Sequence, residues 1–248
     1  MMEVVNRYSA VALRERLAEI KARIEAACQR SGREAGAVRI VAVTKTHPVD
    51  AMIAAWKAGL REFGENRVQE AASKFPMLCT LLPNARVDGC KFHLIGHLQT
   101  NKSKQAVALF DLIHSVDSAK LADELEKYAA RAERELPILI QVNVSGESTK
   151  SGVAPDNTEL LVGHIVEQCP HLVVEGFMTM APFLDDPLET RPYFRHLRDI
   201  RDRLKVGFCD APNFRGEELS MGMTNDYEVA VEEGATIVRL GTALFGHR

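Results

Sequence analysis

Apolar residues recur at helical spacing near the start of the chain. Leu13, Leu17, Ile20, Ile24 and Cys28 fall on one face, and Gly32 follows as a stop signal. This spacing predicts a leading amphipathic helix over about residues 8 to 31. After it the texture changes to short β-branched runs separated by longer stretches of helical period. The runs 39–44, 61–64, 91–96, 112–115, 138–144, 173–179, 218–221 and 236–240 read as eight strands, each followed by a segment able to form a helix. The clearest helical segments are 49–58, 118–134, 157–168, 191–204 and 225–233. Right-handed crossovers close such a series into a barrel. The expected fold class is therefore α/β, a single (β/α)8 TIM barrel with an additional N-terminal helix; a doubly wound open sheet is the alternative. No linker or low-complexity tract is left over, so residues 1–248 are expected to form one domain.

Composition narrows the function classes. A net charge of -3 gives no broad electropositive field, which disfavours nucleic acid and points to a small-molecule partner. Cys28, Cys79, Cys90, Cys169 and Cys209 are odd in number and contain no C-x-x-C pair, so neither a disulfide framework nor a zinc cage is expected. Free thiols fit a reducing cytosol. The first residues lack the apolar core of a secretory signal, and no stretch approaches the roughly 18 apolar residues of a membrane span. A cytoplasmic protein with no membrane partner is expected, a monomer first and a dimer second.

Barrel active sites gather at the C-terminal ends of the strands. Strand one runs Val41-Ala42-Val43-Thr44 straight into Lys45, which places an amine at the barrel mouth. A desolvated lysine there suits Schiff-base chemistry with a carbonyl; an ordinary surface lysine at a strand end is the competing reading. After strand seven comes Ser220-Met221-Gly222-Met223-Thr224-Asn225, and after strand eight Arg239-Leu240-Gly241-Thr242. Glycine admits an anion to the backbone, and barrels commonly bind phosphate at these two loops. Strand eight closes onto strand one, so amine and phosphate cradle are neighbours. Pyridoxal 5'-phosphate (PLP) carries an aldehyde and a phosphate on neighbouring sides of one ring, and Arg239 would stand near that ring. A guanidinium beside the pyridine nitrogen can only donate, which holds the nitrogen unprotonated and weakens the ring as an electron sink.

With those residues in view, the chain resembles the pyridoxal phosphate homeostasis (YggS/PROSC) family, relatives of the alanine racemase barrel domain. The likeness runs from the leading helix to Gly246 through several motifs in order: Val41 to Lys45, Phe63-Gly64-Glu65-Asn66-Arg67-Val68-Gln69-Glu70, 93–102, Val142-Asn143-Val144-Ser145-Gly146-Glu147 with Lys150-Ser151-Gly152, Gly176-Phe177-Met178-Thr179, and 219–245. The resemblance implies a covalent aldimine of PLP on Lys45, with Ser220, Met221, Gly222, Thr224, Gly241 and Thr242 around the phosphate. It also implies that Arg239 faces the pyridine nitrogen and that Asn66 lies near the ring hydroxyl. The function it implies is a PLP carrier or buffer without turnover, which supplies PLP-dependent apo-enzymes. The sequence departs from the family pattern at Phe92, usually Trp, at Arg67, usually aromatic, and in a stretch 208–216 that looks long; these departures bear on the outer rim.

Rival constellations are weaker. His93 and His97 have metal-ligand spacing for a helix but lie at a strand end, so structural or ring-stacking roles are expected, and His114 would line the mouth without acting. Asp185-Asp186 and Glu232-Glu233 read as solvated faces. The main alternative function is a small PLP enzyme such as an amino-acid racemase, which by resemblance needs a second base, a tyrosine from an appended domain. Tyr8, Tyr128, Tyr193 and Tyr227 are expected away from the strand tops. Finally, Ser148-Thr149-Lys150-Ser151-Gly152 after strand five offers Lys150 as an exposed amine, either an ordinary loop lysine or a transient second acceptor of PLP.

Overall fold

The computed structural model describes residues 8–147 and 149–246. Strands β1 (Arg39–Val43), β2 (Glu62–Glu65), β3 (Lys91–Leu94), β4 (Leu112–Val116), β5 (Leu136–Gln141), β6 (Leu172–Met178), β7 (Phe214–Ser220) and β8 (Ile237–Leu240) pair in parallel in chain order, and β8 returns to β1. The barrel is closed, so the open-sheet alternative falls. The helices are α1 (Ala10–Arg30), α2 (Val49–Lys57), α3 (Val68–Leu81), α4 (Ser103–Leu109), α5 (Ala119–Arg131), α6 (Thr158–Gln168), α7 (Arg191–Gly207), α8 (Tyr227–Glu232) and the short α9 (Thr242–Phe245).

Alternation along the strands sorts residues into two cores. In β1, Ile40 and Ala42 pack outward against the helices, whereas Val41 joins Leu112, Leu139, Met178 and Ile237 inside the barrel. The same alternation brings Val43, then Lys45, to the inner side of the mouth. The helix α1 begins at Ser9, whose hydroxyl accepts the Ala12 N–H, and it buries Leu13, Leu17, Ile20 and Ile24 against α2, α8 and α9. Each such side chain contributes about 1.5–3 kcal/mol. This covers the seam where β8 meets β1 and steadies the part of the barrel that carries Lys45 and Arg239.

Several expectations need correction. The strand expected over 218–221 begins earlier, at Phe214, so the stretch 208–216 is a short connection followed by a strand. Arg215, Glu217 and Glu218 mask the strand's apolar alternation, and Gly216 at φ 65° breaks its texture. Phe92 lies in the core rather than on the rim, stacked on Phe75 at 3.9 Å between ring centroids. Glu233 is buried, with Arg191, Arg195 and Arg198 around its carboxylate, and Glu232 pairs with Arg30 and Arg191. These two acids tie α8 to α1 and α7. Asp185 and Asp186 are exposed, as expected.

Candidate functional site

A cavity of about 570 Å³ opens at the C-terminal ends of the strands. Of the residues named from sequence, Lys45, Asn66, Thr224, Arg239, Gly241 and Thr242 line it. Ser220, Met221 and Gly222 do not.

The backbone around Lys45 is clamped. Thr46 sits in the left-handed region at φ 63°, a conformation that costs a non-glycine residue about 1–2 kcal/mol. Its N–H donates to Glu70 Oε1, and Lys74 Nζ donates to the same oxygen, to Glu65 Oε1 at 3.0 Å and to the Thr44 carbonyl at 2.8 Å. The Thr44 hydroxyl donates to Glu65 Oε1 at 2.6 Å. Burial raises the Glu65 carboxyl, an effect opposed by Thr44 and Lys74. The lysine expected to lose its hydration is half-buried at the wall of the cavity. Asn66 is set by close packing: a Cβ on Gly96 would stand 2.7 Å from the Asn66 Cα and overlap its carbonyl oxygen.

Arg239 crosses the mouth from β8 and is only 4% exposed. Its Nη1 donates to the Ser220 carbonyl and hydroxyl oxygens, both at 2.7 Å, and Nη2 donates to the Thr179 carbonyl at 2.8 Å. Among the described residues its Nε–H has no acceptor, so a guanidinium donor remains in a residue that lines the cavity. Burial lowers the Arg239 pKa to about 10, opposed by the Asp226 carboxylate, so the group is still a cation at neutral pH.

Beneath Arg239 a polar chain runs down the barrel interior. Ser220 Oγ is 2.9 Å from His114 Nδ1, and His114 Nε2 is 2.9 Å from His93 Nδ1. His93 Nε2 lies 3.3 Å from Glu62 Oε2, poorly aligned for a hydrogen bond, and Glu62 pairs with Arg39 at the barrel floor. Burial lowers the His93 pKa to about 3 and drives His114 well below the usual range, so both rings are neutral. The guanidinium can only donate, which gives the chain a self-consistent direction: Arg239 to Ser220, Ser220 to His114 Nδ1, and His114 Nε2–H to His93. His114 thus sits below the mouth rather than lining it. His93 and His97 are separated, one enclosed in the barrel and the other exposed near Asp117, so they do not form a metal pair.

The two phosphate-loop candidates have distinct supports. Gly222 adopts φ 92°, and a Cβ there would stand 2.6 Å from the Ala230 Cβ and 2.9 Å from the Tyr227 Cα. Its lack of a side chain therefore seats the loop on α8. Met221 is fully buried in the outer core and anchors the loop from that side. The buried Asp226 accepts the Met223 N–H at 2.6 Å, and the Thr224 hydroxyl accepts the Ala243 N–H at 3.2 Å, which joins the loop after β7 to the one after β8.

Sequence reading missed His47, Asp226, Met180 and Phe183, all of which line the cavity. Tyr8 also corrects its expectation: its hydroxyl is 3.0 Å from His47 Nδ1 and its ring packs on His47 and Phe245, so it stands close behind the mouth. Lys150 pairs with Glu147 at 2.8 Å, is half-buried and is not among the cavity-lining residues; Ser148 of that loop lies outside the described residues.

The family model described as alanine racemase, N-terminal domain, matches residues 16–248. The pyridoxal phosphate homeostasis protein of Aquifex aeolicus is 44% identical over 234 residues, covering 94% of this chain and 97% of the relative. The chain belongs to the pyridoxal phosphate homeostasis protein family. The solved structure of PipY from Synechococcus elongatus PCC7942 with PLP bound aligns at a TM-score of 0.78 and 37% identity, covering 94% of this chain and 100% of PipY. An alanine racemase from Clostridium difficile shares the fold alone, at 15% identity and a TM-score of 0.65 over 95% of this chain and 56% of the racemase. This family membership accounts for the motif order from Val41 to Phe245 and sets the frame for the cavity.

Proposed function

We propose that this chain binds PLP at the barrel mouth, held covalently through Lys45, and acts in PLP homeostasis in the cytoplasm. In this role it supplies or sequesters the cofactor for PLP-dependent apo-enzymes without turnover of its own. The observation that carries the reading is Arg239, a buried cation that lines the same cavity as Lys45 and makes three hydrogen bonds to Ser220 and Thr179, fewer than the five N–H donors of a guanidinium. Such a donor fits a ring nitrogen that accepts. When bound, PLP supplies an aldehyde that condenses with an amine and a dianionic phosphate.

The chain's own residues divide the work. Lys45 provides the amine on a backbone fixed by the Glu65, Glu70 and Lys74 clamp. Thr224, Thr242 and the backbone at Gly241 hold the phosphate, while Asn66 meets the ring hydroxyl. Ser220 acts through Arg239, which it orients, and Met221 and Gly222 act by seating the loop.

The racemase reading needs a second base, and none of Tyr8, Tyr128, Tyr193 and Tyr227 is among the residues that line the cavity. Arg239 also opposes carbanion chemistry by holding the ring nitrogen unprotonated. The test is titration of the protein with PLP, followed by incubation with alanine in deuterated water. A visible band that is lost in Lys45→Ala, with little α-proton exchange, supports the reading. Exchange on the order of 1 s⁻¹ or faster would make it an enzyme.

A further inference from the structure

On the outer ring of the barrel, away from the mouth, three side chains bring metal-ligand chemistry together. Asp123 on α5, His164 on α6 and Cys169, the residue that caps α6, place a carboxylate oxygen, an imidazole nitrogen and a sulfur within 4.8 Å of one another. His164 Nε2 is 2.7 Å from Asp123 Oδ1, and Cys169 Sγ is 4.0 Å from that oxygen. None of the three lines the cavity. Helix packing sets the register: α5 buries Leu121 and Leu125, α6 buries Leu161 and Ile165, and the two helices are neighbours. Glu126 follows Asp123 one turn along α5, where it holds the His171 ring at 2.7 Å and its backbone N–H at 2.9 Å.

We propose that Asp123, His164 and Cys169 form a binding site for a divalent transition metal of the zinc class. The donor set selects the metal. Calcium and magnesium require shells of oxygen, whereas sulfur, nitrogen and carboxylate oxygen together suit zinc. Tetrahedral zinc with bonds of about 2.0–2.3 Å holds its ligand atoms about 3.2–3.6 Å apart. The spacings of 2.7 and 4.0 Å bracket that range and the third lies within 4.8 Å, so shifts of about 1 Å complete the geometry. A fourth position remains for water.

Binding must displace a proton held by the buried thiol, which opposes it. Burial, with the Glu126 and Asp123 charges, pushes the Cys169 thiol up to about 12, so it is protonated in the metal-free protein. A metal ion replaces that proton, which leaves to solvent, and the thiolate bonds to the metal. In the metal-free protein the His164 Nε2–H donates to Asp123 Oδ1; on binding that hydrogen bond breaks, the ring takes the tautomer with its proton on Nδ1, and the Nε2 lone pair bonds to the metal. The sulfur is enclosed while His164 and Asp123 reach the surface, which gives the ion a path in. Bound there, it pins α5 to α6 and favours the folded state.

The experiment is a Co²⁺ titration of the reduced, chelator-treated protein in a Cys209→Ser background, which removes the exposed thiol. One Co²⁺ per chain is expected, with a thiolate-to-metal charge-transfer band and the visible bands of a tetrahedral ion, both erased by Zn²⁺. Cys169→Ala should lose the charge-transfer band. Because Cys169 is buried and that variant can fail to fold, Asp123→Asn, at an exposed position, carries the test independently; it should weaken binding by at least about tenfold. Absence of the sulfur band, or unchanged affinity in both Asp123→Asn and His164→Gln, overturns the site.

Discussion

The mouth of the barrel and the interior directly beneath it are built on opposite plans. The mouth is an open cavity lined by the polar residues Lys45, Thr224, Thr242 and Arg239. The interior below is closed, and its polar groups bond to one another along Arg239, Ser220, His114 and His93, with only the far His93 Nε2 left without an aligned partner. Arg239 belongs to both regions. The cationic donor at the mouth is thus held in place by neutral hydrogen-bond partners, with Asp226 the carboxylate that opposes its desolvation. A buried cation so held keeps its charge and a fixed direction, which suits a group meant to donate to a ligand.

The sharpest way to break this arrangement is at its rim. Gly222→Ala forces a left-handed alanine against the Ala230 Cβ and the Tyr227 backbone, and strain plus overpacking should cost about 3 kcal/mol in chemical denaturation. Loss of PLP binding should accompany it, because the loop from Met223 to Asn225 is displaced. A fully stable Gly222→Ala would show that α8 does not seat the loop.

Acid probes the interior next. His93 and His114 are neutral when folded and charge near pH 6.5 when unfolded, so their contribution is complete above pH 6.5 and is lost as the pH falls toward the folded-state values, about 3 for His93. Each should lower stability by about 1.4 kcal/mol per pH unit below that point, measured as a falling urea midpoint between pH 7 and pH 5. A flat profile would mean that the two rings take up protons in the folded protein as readily as in the unfolded chain.

A smaller and more selective effect is expected at the phosphate loops. Thr224→Val with Thr242→Val should weaken PLP far more than pyridoxal, which lacks the phosphate, while stability falls by about 1 kcal/mol for the lost Ala243 contact. Equal weakening of both ligands would move the phosphate elsewhere. Phe183, 83% exposed at the rim, should tolerate Phe183→Ser within about 0.5 kcal/mol. A larger loss would place that ring in a packed lid.

The mouth was the legible region because its signals are local. Val41 to Lys45 marks a strand that ends in an amine, and two glycine-threonine turns mark the loops after β7 and β8. The interior chain was hidden because His93, His114, Ser220 and Arg239 come from four strands, and only barrel closure brings them together. Tyr8 and His47 escaped for the same reason, since the contact spans 39 residues and forms only when α1 closes the seam. The start of β7 was illegible on other grounds: charged Arg215, Glu217 and Glu218 sit where a strand needs alternation, and Glu218 pairs with Arg39 at the barrel floor. Glu233 read as a solvated acid because its three arginine partners lie a full unit upstream on α7.

The central claim is that Lys45 is the amine that holds PLP at this mouth, and it is tested most directly by borohydride reduction of the PLP-loaded protein followed by peptide mass mapping. The account predicts a pyridoxyl group on Lys45 at near one per chain, and none on Lys150 or Lys74. A pyridoxyl group found only on another lysine, with Lys45 unmodified, would contradict it.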